Sequence, residues 1–188
     1  MPPYSAGNTM QFDLTCLIWI QQNLRTALLD SAMVFFSTIG NFGAVWLAAA
    51  AALICTKKYR AHGLALIGAL ALGYLVGDVL IKNLACRPRP FTAVEGVELL
   101  IPPPESFSFP SGHTLSSFAA ATVLFAANRK FGLAAYLLAV CIAFSRLYLF
   151  VHYPTDVLAG LVCGLAVGWF VLWLMRCAKH YILYRRRS

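Results

Sequence analysis

The sequence predicts an all-α protein, a polytopic membrane bundle of about five to six helices opened by an amphipathic N-terminal interfacial helix. Three observations carry that reading. The 188 residues are 60% hydrophobic and only 12% charged, a balance that soluble domains of this size do not have. The apolar residues fall into runs of about 20, the length that crosses a bilayer. The basic residues punctuate the ends of those runs and form no stripe, so the net charge of +8 reflects membrane topology and not nucleic-acid binding. The chain reads as one integral membrane domain, residues 1–188. Its six cysteines, Cys16, Cys55, Cys86, Cys141, Cys163 and Cys177, are scattered with no CxxC. They read as small buried hydrophobes, with no metal site and no disulfide framework.

The elements follow in order. Residues 1–10 read as disordered, without the basic start and small-residue cleavage site of a signal peptide. Phe12–Leu29 mixes Leu, Ile and Trp with Gln21, Gln22, Asn23 and Arg25, which suits a helix lying in the interface. Asp30–Thr56 is a long apolar run broken at Gly40-Asn41-Phe42-Gly43: one kinked span, or a short helix and then a span. Ala61–Leu80 is a span whose Gly63, Gly68, Gly73 and Gly77 permit close packing. Asp78, near its end, meets Lys82 at i,i+4. Residues 83–110 form a proline-rich loop. Thr114–Ala127 is apolar but short, and spans only if Ser111–His113 are drawn in with it. Phe131–Phe150 and Asp156–Met175 are full spans, and a basic tail follows.

Lysine and arginine counts set the orientation. Lys57, Lys58, Arg60, Arg129, Lys130, Arg176, Lys179, Arg185, Arg186 and Arg187, ten residues, share one side. Lys82, Arg87, Arg89 and Arg146, four residues, share the other. The first side is therefore expected in the cytoplasm and the second outside.

Three stretches meet on the outer side. In Ser145–Asp156, SRLYLFVHYPTD, Pro154 suits the first turn of a helix capped at Tyr153. Asp156 then lies in that first turn and reaches back to His152 at i,i+4. A carboxylate fixes the tautomer of a histidine and makes it a competent base or nucleophile; such a pair also occurs as a purely structural cap. Arg146 stands one to two turns earlier, able to clamp an anion. In Pro110-Ser111-Gly112-His113, Ser111 is a good N-cap and Gly112 admits a ligand to the backbone. Lys82 and Arg89 in the third stretch add positive charge suited to phosphate oxygens. Phosphoryl transfer uses these parts: cations on the equatorial oxygens, an in-line nucleophile and an acid for the leaving group.

Lys82–Pro90 (KxxxxxxRP), Pro110–His113 (PSGH) and Ser145–Asp156 (SRxxxxxHxxxD), in that order, resemble the three signature motifs of the type 2 phosphatidic acid phosphatase superfamily. Every defining position is present. The resemblance implies that His152 forms a phosphohistidine, that Asp156 orients it, and that His113 protonates the leaving oxygen. It also implies that Lys82, Arg89, Ser111, Gly112 and Arg146 hold the phosphate, with no metal and no other cofactor. The implied partners are membrane lipids and a lipid phosphate or diphosphate, undecaprenyl diphosphate first and phosphatidylglycerophosphate or phosphatidate next. A lipid-binding or channel-like protein is the non-enzymatic alternative, against which the carboxylate-backed histidine argues. Outside the motifs, Arg87 reads as a solvated loop charge, and Glu95, Glu98 and Glu105 as acids of a mobile loop. His62 and His180 read as interfacial, and Trp19, Trp46, Trp169 and Trp173 as lipid-facing or belt residues.

Overall fold

The computed structural model describes residues 8–185, with side chains placed for residues 9–181. Disorder expected at residues 1–10 is not found at Asn8, Thr9 and Met10, which open a helix; residues 1–7 and Arg186–Ser188 lie outside the described residues. The helices are α1 (Asn8–Leu24), α2 (Ala27–Gly40), α3 (Ala44–Cys55), α4 (Arg60–Gly73), α5 (Lys82–Ala85), α6 (Gly112–Ala127), α7 (Arg129–Tyr148) and α8 (Pro154–Arg185). No strand occurs among the described residues.

Four stretches are long and apolar enough to cross a membrane: Ala27–Cys55, Arg60–Thr92, Arg129–Tyr148 and Pro154–Tyr181. The first joins α2 and α3 through the kink at Asn41–Gly43, where Phe42 (φ 54) and Gly43 (φ 67) take left-handed backbone. The second joins α4 to α5 through a widened π-helical stretch, Tyr74–Ile81. The last helix continues well past Met175 to Arg185, so residues expected as a tail extend α8 instead.

The bundle is built around α6. Its 16 residues rise about 24 Å, less than the roughly 30 Å hydrocarbon core. The mismatch is harmless because α6 is enclosed by α4, α7 and α8, and Thr114, Leu115 and Ser117 through Leu124 are all buried. Close approach of α8 depends on Gly160, Gly164 and Gly168, one residue per turn on a single face. A Cβ at these positions would fall 2.7 Å from Ser111 O, 2.5 Å from Leu115 O and 2.7 Å from Thr122 Cβ. Backbones in contact through small residues are the usual basis of helix association in lipid, where apolar side chains gain little by leaving their surroundings.

Two sequence expectations are corrected by this packing. Trp46 is 2% exposed, and its indole N–H donates to Ser117 Oγ at 3.0 Å, so it belongs to the core and not to a belt. Trp19, Trp169 and Trp173 are exposed as expected. None of the six free cysteines is buried, and Cys55, Cys86 and Cys177 are exposed.

Helix α1 lies across the end of the bundle that carries the motifs. Asp13, Leu17 and Ile20, spaced to share one face, are buried against it, while Phe12, Ile18 and Trp19 are exposed. The proline-rich loop is held beneath α1: Phe91, Val94, Val97 and Leu99 pack on Leu17, Phe150 and Tyr153. Glu95, Glu98 and Glu105 are exposed, as expected, but the loop that carries them is anchored by its apolar residues.

Candidate active site

The three motif stretches converge on one cavity of about 650 Å³. Lys82, Arg89, Gly112, His113, Arg146 and His152 line it, with Ser37, Asn41 and Asp78 among the other polar residues. Its apolar lining includes Phe42, Leu70, Tyr74 and Leu115, and the loop adds Ile101, Pro102 and Pro104. Phosphate chemistry and an apolar tail are thus offered adjacent surfaces.

Each cation is positioned by its own element. The widened turn Tyr74–Ile81 carries Asp78, which pairs with the buried Lys82 as the i,i+4 spacing predicts. Such turns recur at functional sites because they re-aim side chains without ending the helix. A Cβ on Gly112 would sit 2.8 Å from Asp78 Oδ2, so this glycine lets the start of α6 approach that pair. Arg89 is pinned by the loop: Nε donates to Ser106 O at 2.7 Å and Nη1 to Val151 O at 2.8 Å. Arg146, also buried, donates through Nη1 to Ser37 Oγ, while its Nε has no partner. A buried guanidinium with an unmatched donor beside an open cavity is matched to an anion.

His152 lies in the tight Leu149–Tyr153 connection, 2% exposed. Its backbone N–H donates to Arg146 O at 3.3 Å. The ring is oriented from both ends. Nε2 is 3.3 Å from Arg89 Nη1, and Nδ1 is 3.5 Å from Asp156 Oδ2. Arginine only donates, so Nε2 is the acceptor and the ring proton sits on Nδ1, facing the carboxylate. At 3.5 Å that second contact is an electrostatic approach and not a closed hydrogen bond, and Nδ1 has no hydrogen-bond partner. Burial, and then the charges of Arg89 and Arg146, push the His152 pKa down to about 3 against the opposing pull of Asp156. The ring is therefore neutral, with its Nε2 lone pair available as a nucleophile.

Asp156 is fully buried and caps its own helix: it accepts the Tyr153 N–H at 2.9 Å, as the third residue of a capping box does. It also accepts from Ser108 Oγ and, at 2.6 Å, from Arg87 Nη1. Arg87 is thus no solvated loop charge. It joins Asp156 to Asp13 and lies over the Tyr153 ring, 4.0 Å from its centroid.

His113 lines the cavity from α6, and its Nε2 meets Asn41 Oδ1 at 2.9 Å. With the amide oxygen as acceptor, His113 carries a proton on Nε2, and the ring can act as an acid when Nδ1 is protonated as well. A Cβ at Gly40 would fall 2.9 Å from His113 Cδ2, so the kink brings backbone against this ring. Ser111 caps α6 as expected, accepting from Thr114 N at 3.4 Å, but it stands behind the cavity wall with its hydroxyl also engaged by Thr114 Oγ1 at 2.9 Å. Asp13, Asn41, Ser37 and Ser108 carried no sequence reading. Only Asp13 had a usable signal: a lone acid on the otherwise apolar buried face of α1. Among the described residues, no three His, Cys, Asp or Glu side chains gather as a metal site would require.

The chain is similar to known proteins in sequence and in fold. The undecaprenyl-diphosphatase of Sulfolobus acidocaldarius is 35% identical over 141 residues, 74% of this chain and 68% of its own length. Undecaprenyl-diphosphatase BcrC of Bacillus subtilis is 33% identical over 144 residues, covering 77% and 74%. The crystal structure of Aquifex aeolicus LpxE superimposes with a TM-score of 0.75 at 31% identity, over 86% of this chain and 94% of that one. The profile of the PAP2 superfamily matches residues 62–179, a stretch that contains all three motif segments, and the chain belongs to that superfamily of membrane phosphatases.

Proposed function

We propose that this chain is a single-domain lipid phosphatase that removes the terminal phosphate of undecaprenyl diphosphate at the extracytoplasmic face of the cell membrane. The observation that carries the reaction is the neutral His152, its Nε2 facing Arg89 in a cavity where Arg146 Nε is unmatched and its Nδ1 facing Asp156. Two relatives named for this diphosphatase activity support the substrate. In the first step His152 Nε2 attacks the terminal phosphorus. The bond to the bridging oxygen breaks, and His113, entering the step as the imidazolium, gives its Nε2 proton to the departing group and is left neutral. Asp156 balances the positive charge that develops on the His152 ring. Lys82, Arg89, Arg146 and the Gly112 N–H hold the equatorial oxygens; Ser111 joins them only by giving up its Thr114 contact. In the second step water attacks the phosphohistidine, with His113 taking the proton, and phosphate leaves.

The test is phosphate release by the purified protein from a panel of lipid phosphates with EDTA present. The expected result is turnover unaffected by the chelator, inhibited by vanadate and fastest on undecaprenyl diphosphate. Loss of activity in EDTA that Mg²⁺ restores contradicts the mechanism. The substrate class is read separately through His113. A phosphate monoester expels an alkoxide-like oxygen that needs a proton, whereas a lipid diphosphate expels a stable phosphate anion. His113→Ala is therefore expected to slow phosphatidate hydrolysis by roughly 10²–10⁴-fold, and undecaprenyl diphosphate hydrolysis by clearly less. Equal losses on both would make His113 a phosphate ligand and not the proton donor.

The chain's own cysteines report its orientation. Cys86 is exposed beside the motif end, and Cys55 is exposed at the other. In intact cells, an impermeant thiol reagent is expected to label protein whose single cysteine is Cys86, and not protein whose single cysteine is Cys55. The reverse pattern places the site in the cytoplasm.

A further inference from the structure

Asp13 is 0% exposed, an acid buried on a helix that carries none of the motifs. Burying a carboxylate is costly unless it is paired and hydrogen-bonded. Its partners all lie beside the catalytic turn. Arg87 Nη2 donates to Oδ2 at 2.7 Å, Thr155 N to Oδ1 at 3.1 Å, and Thr155 Oγ1 to Oδ2 at 2.5 Å. The other arm of Arg87 runs to the first turn of α8, where Nη1 donates to Asp156 Oδ1 at 2.6 Å and to Thr155 Oγ1 at 2.7 Å. One guanidinium thus spans two buried acids, with its flat face on Tyr153. Asp156 held at Oδ1 cannot swing Oδ2 away from His152 Nδ1, which stands only 3.5 Å off.

We propose that Arg87, itself held by Asp13 of α1, is a positioning residue for phosphoryl transfer: it fixes the Asp156 carboxylate against His152 and makes the N-terminal interfacial helix part of the catalytic apparatus. This rests on His152 being the nucleophile. Arg87 does not line the phosphate cavity, so its loss leaves the phosphate ligands Lys82, Arg89 and Arg146 in place. Its effect falls on the rate of transfer and not on binding. Lysine cannot replace it fully, because a single ammonium does not reproduce a planar fork reaching two carboxylates.

The experiment uses the full-length protein in lipid nanodiscs and whichever lipid phosphate the wild type cleaves fastest. It measures kcat, KM, the inhibition constant of inorganic phosphate and the thermal midpoint for Arg87→Gln, Arg87→Lys and Asp13→Asn. Arg87→Gln is expected to lower kcat about 10–100-fold, the scale on which outer partners of a reactive histidine act. KM and inhibition by inorganic phosphate are expected to stay within about threefold of wild type, the contacts that set uniform binding being intact. Arg87→Lys and Asp13→Asn are expected to move the same way by less. Combining Arg87→Gln with Asp156→Asn is expected to cost no more than Asp156→Asn alone, since both act through one carboxylate. Additive losses, or phosphate binding that falls in parallel with kcat and the midpoint, would reduce Arg87 to a structural tie. If Arg87→Gln does not fold, Arg87→Lys and Asp13→Asn decide: wild-type kcat in both overturns the proposal. An active His152→Ala would instead overturn the nucleophile.

Discussion

Replacing His152 with Ala is expected to lower kcat by about 10⁶-fold, the scale on which removal of a covalent nucleophile acts in other hydrolases. No other side chain can take its place. Among the residues lining the cavity, His113 is the other imidazole, and it is held on α6 with Nε2 turned to Asn41. The protein is expected to remain folded although His152 is buried. The imidazole faces a cavity already open to water, so its removal enlarges a wet space and creates no dry void. The backbone around it stays fixed by the N–H bonds of Val151 and His152 to Arg146 O. Turnover by the purified variant and its thermal midpoint, measured together, check both halves. A rate near that of wild type removes His152 from the nucleophile role.

Asp156→Asn is expected to lower kcat by about 10⁴-fold, the effect of the same exchange behind the histidine of a Ser-His-Asp triad. The amide has nearly the shape of the carboxylate but cannot balance a positive ring. It can also turn its NH₂ toward Nδ1, which moves the ring proton to Nε2 and occupies the attacking lone pair. The loss is expected to be smaller than for His152→Ala, because the nucleophile is still present. Affinity for inorganic phosphate is expected to change little, since Asp156 does not line the cavity. Stability is a second readout. Asp156 accepts from Arg87, Ser108 and the Tyr153 N–H. Removing one partner of a buried ion pair costs about 3–5 kcal/mol, which here is an upper bound, because Arg87 is partly exposed and keeps Asp13. A drop in the thermal midpoint with kcat within tenfold of wild type would make Asp156 a helix cap and nothing more.

The sequence by itself determined what depends on near neighbours and on average polarity. Apolar runs marked the helices, and cations at their ends placed the three motifs at one end of the bundle. The spacing of four predicted that Asp78 meets Lys82 and Asp156 meets His152, and Pro154 marked the start of α8. The first contact follows from helical geometry; the second also needs the turn at Leu149–Tyr153, because His152 lies outside α8. The break at Gly40–Gly43 was legible as a kink, but not that it would deliver Asn41 to His113, 72 residues away. Tertiary structure alone decided the partners of Arg87, one of them 74 residues away, and the burial of Trp46 against Ser117. It also decided that a helix too short to span sits enclosed at the centre. Local patterning says which residues leave water, but whether they face lipid or protein depends on how each helix is rotated and offset against the next. Arg87 stands beside prolines in a polar stretch, which by itself favours exposure. Only the docking of α1 over the start of α8 puts a carboxylate on each side of it.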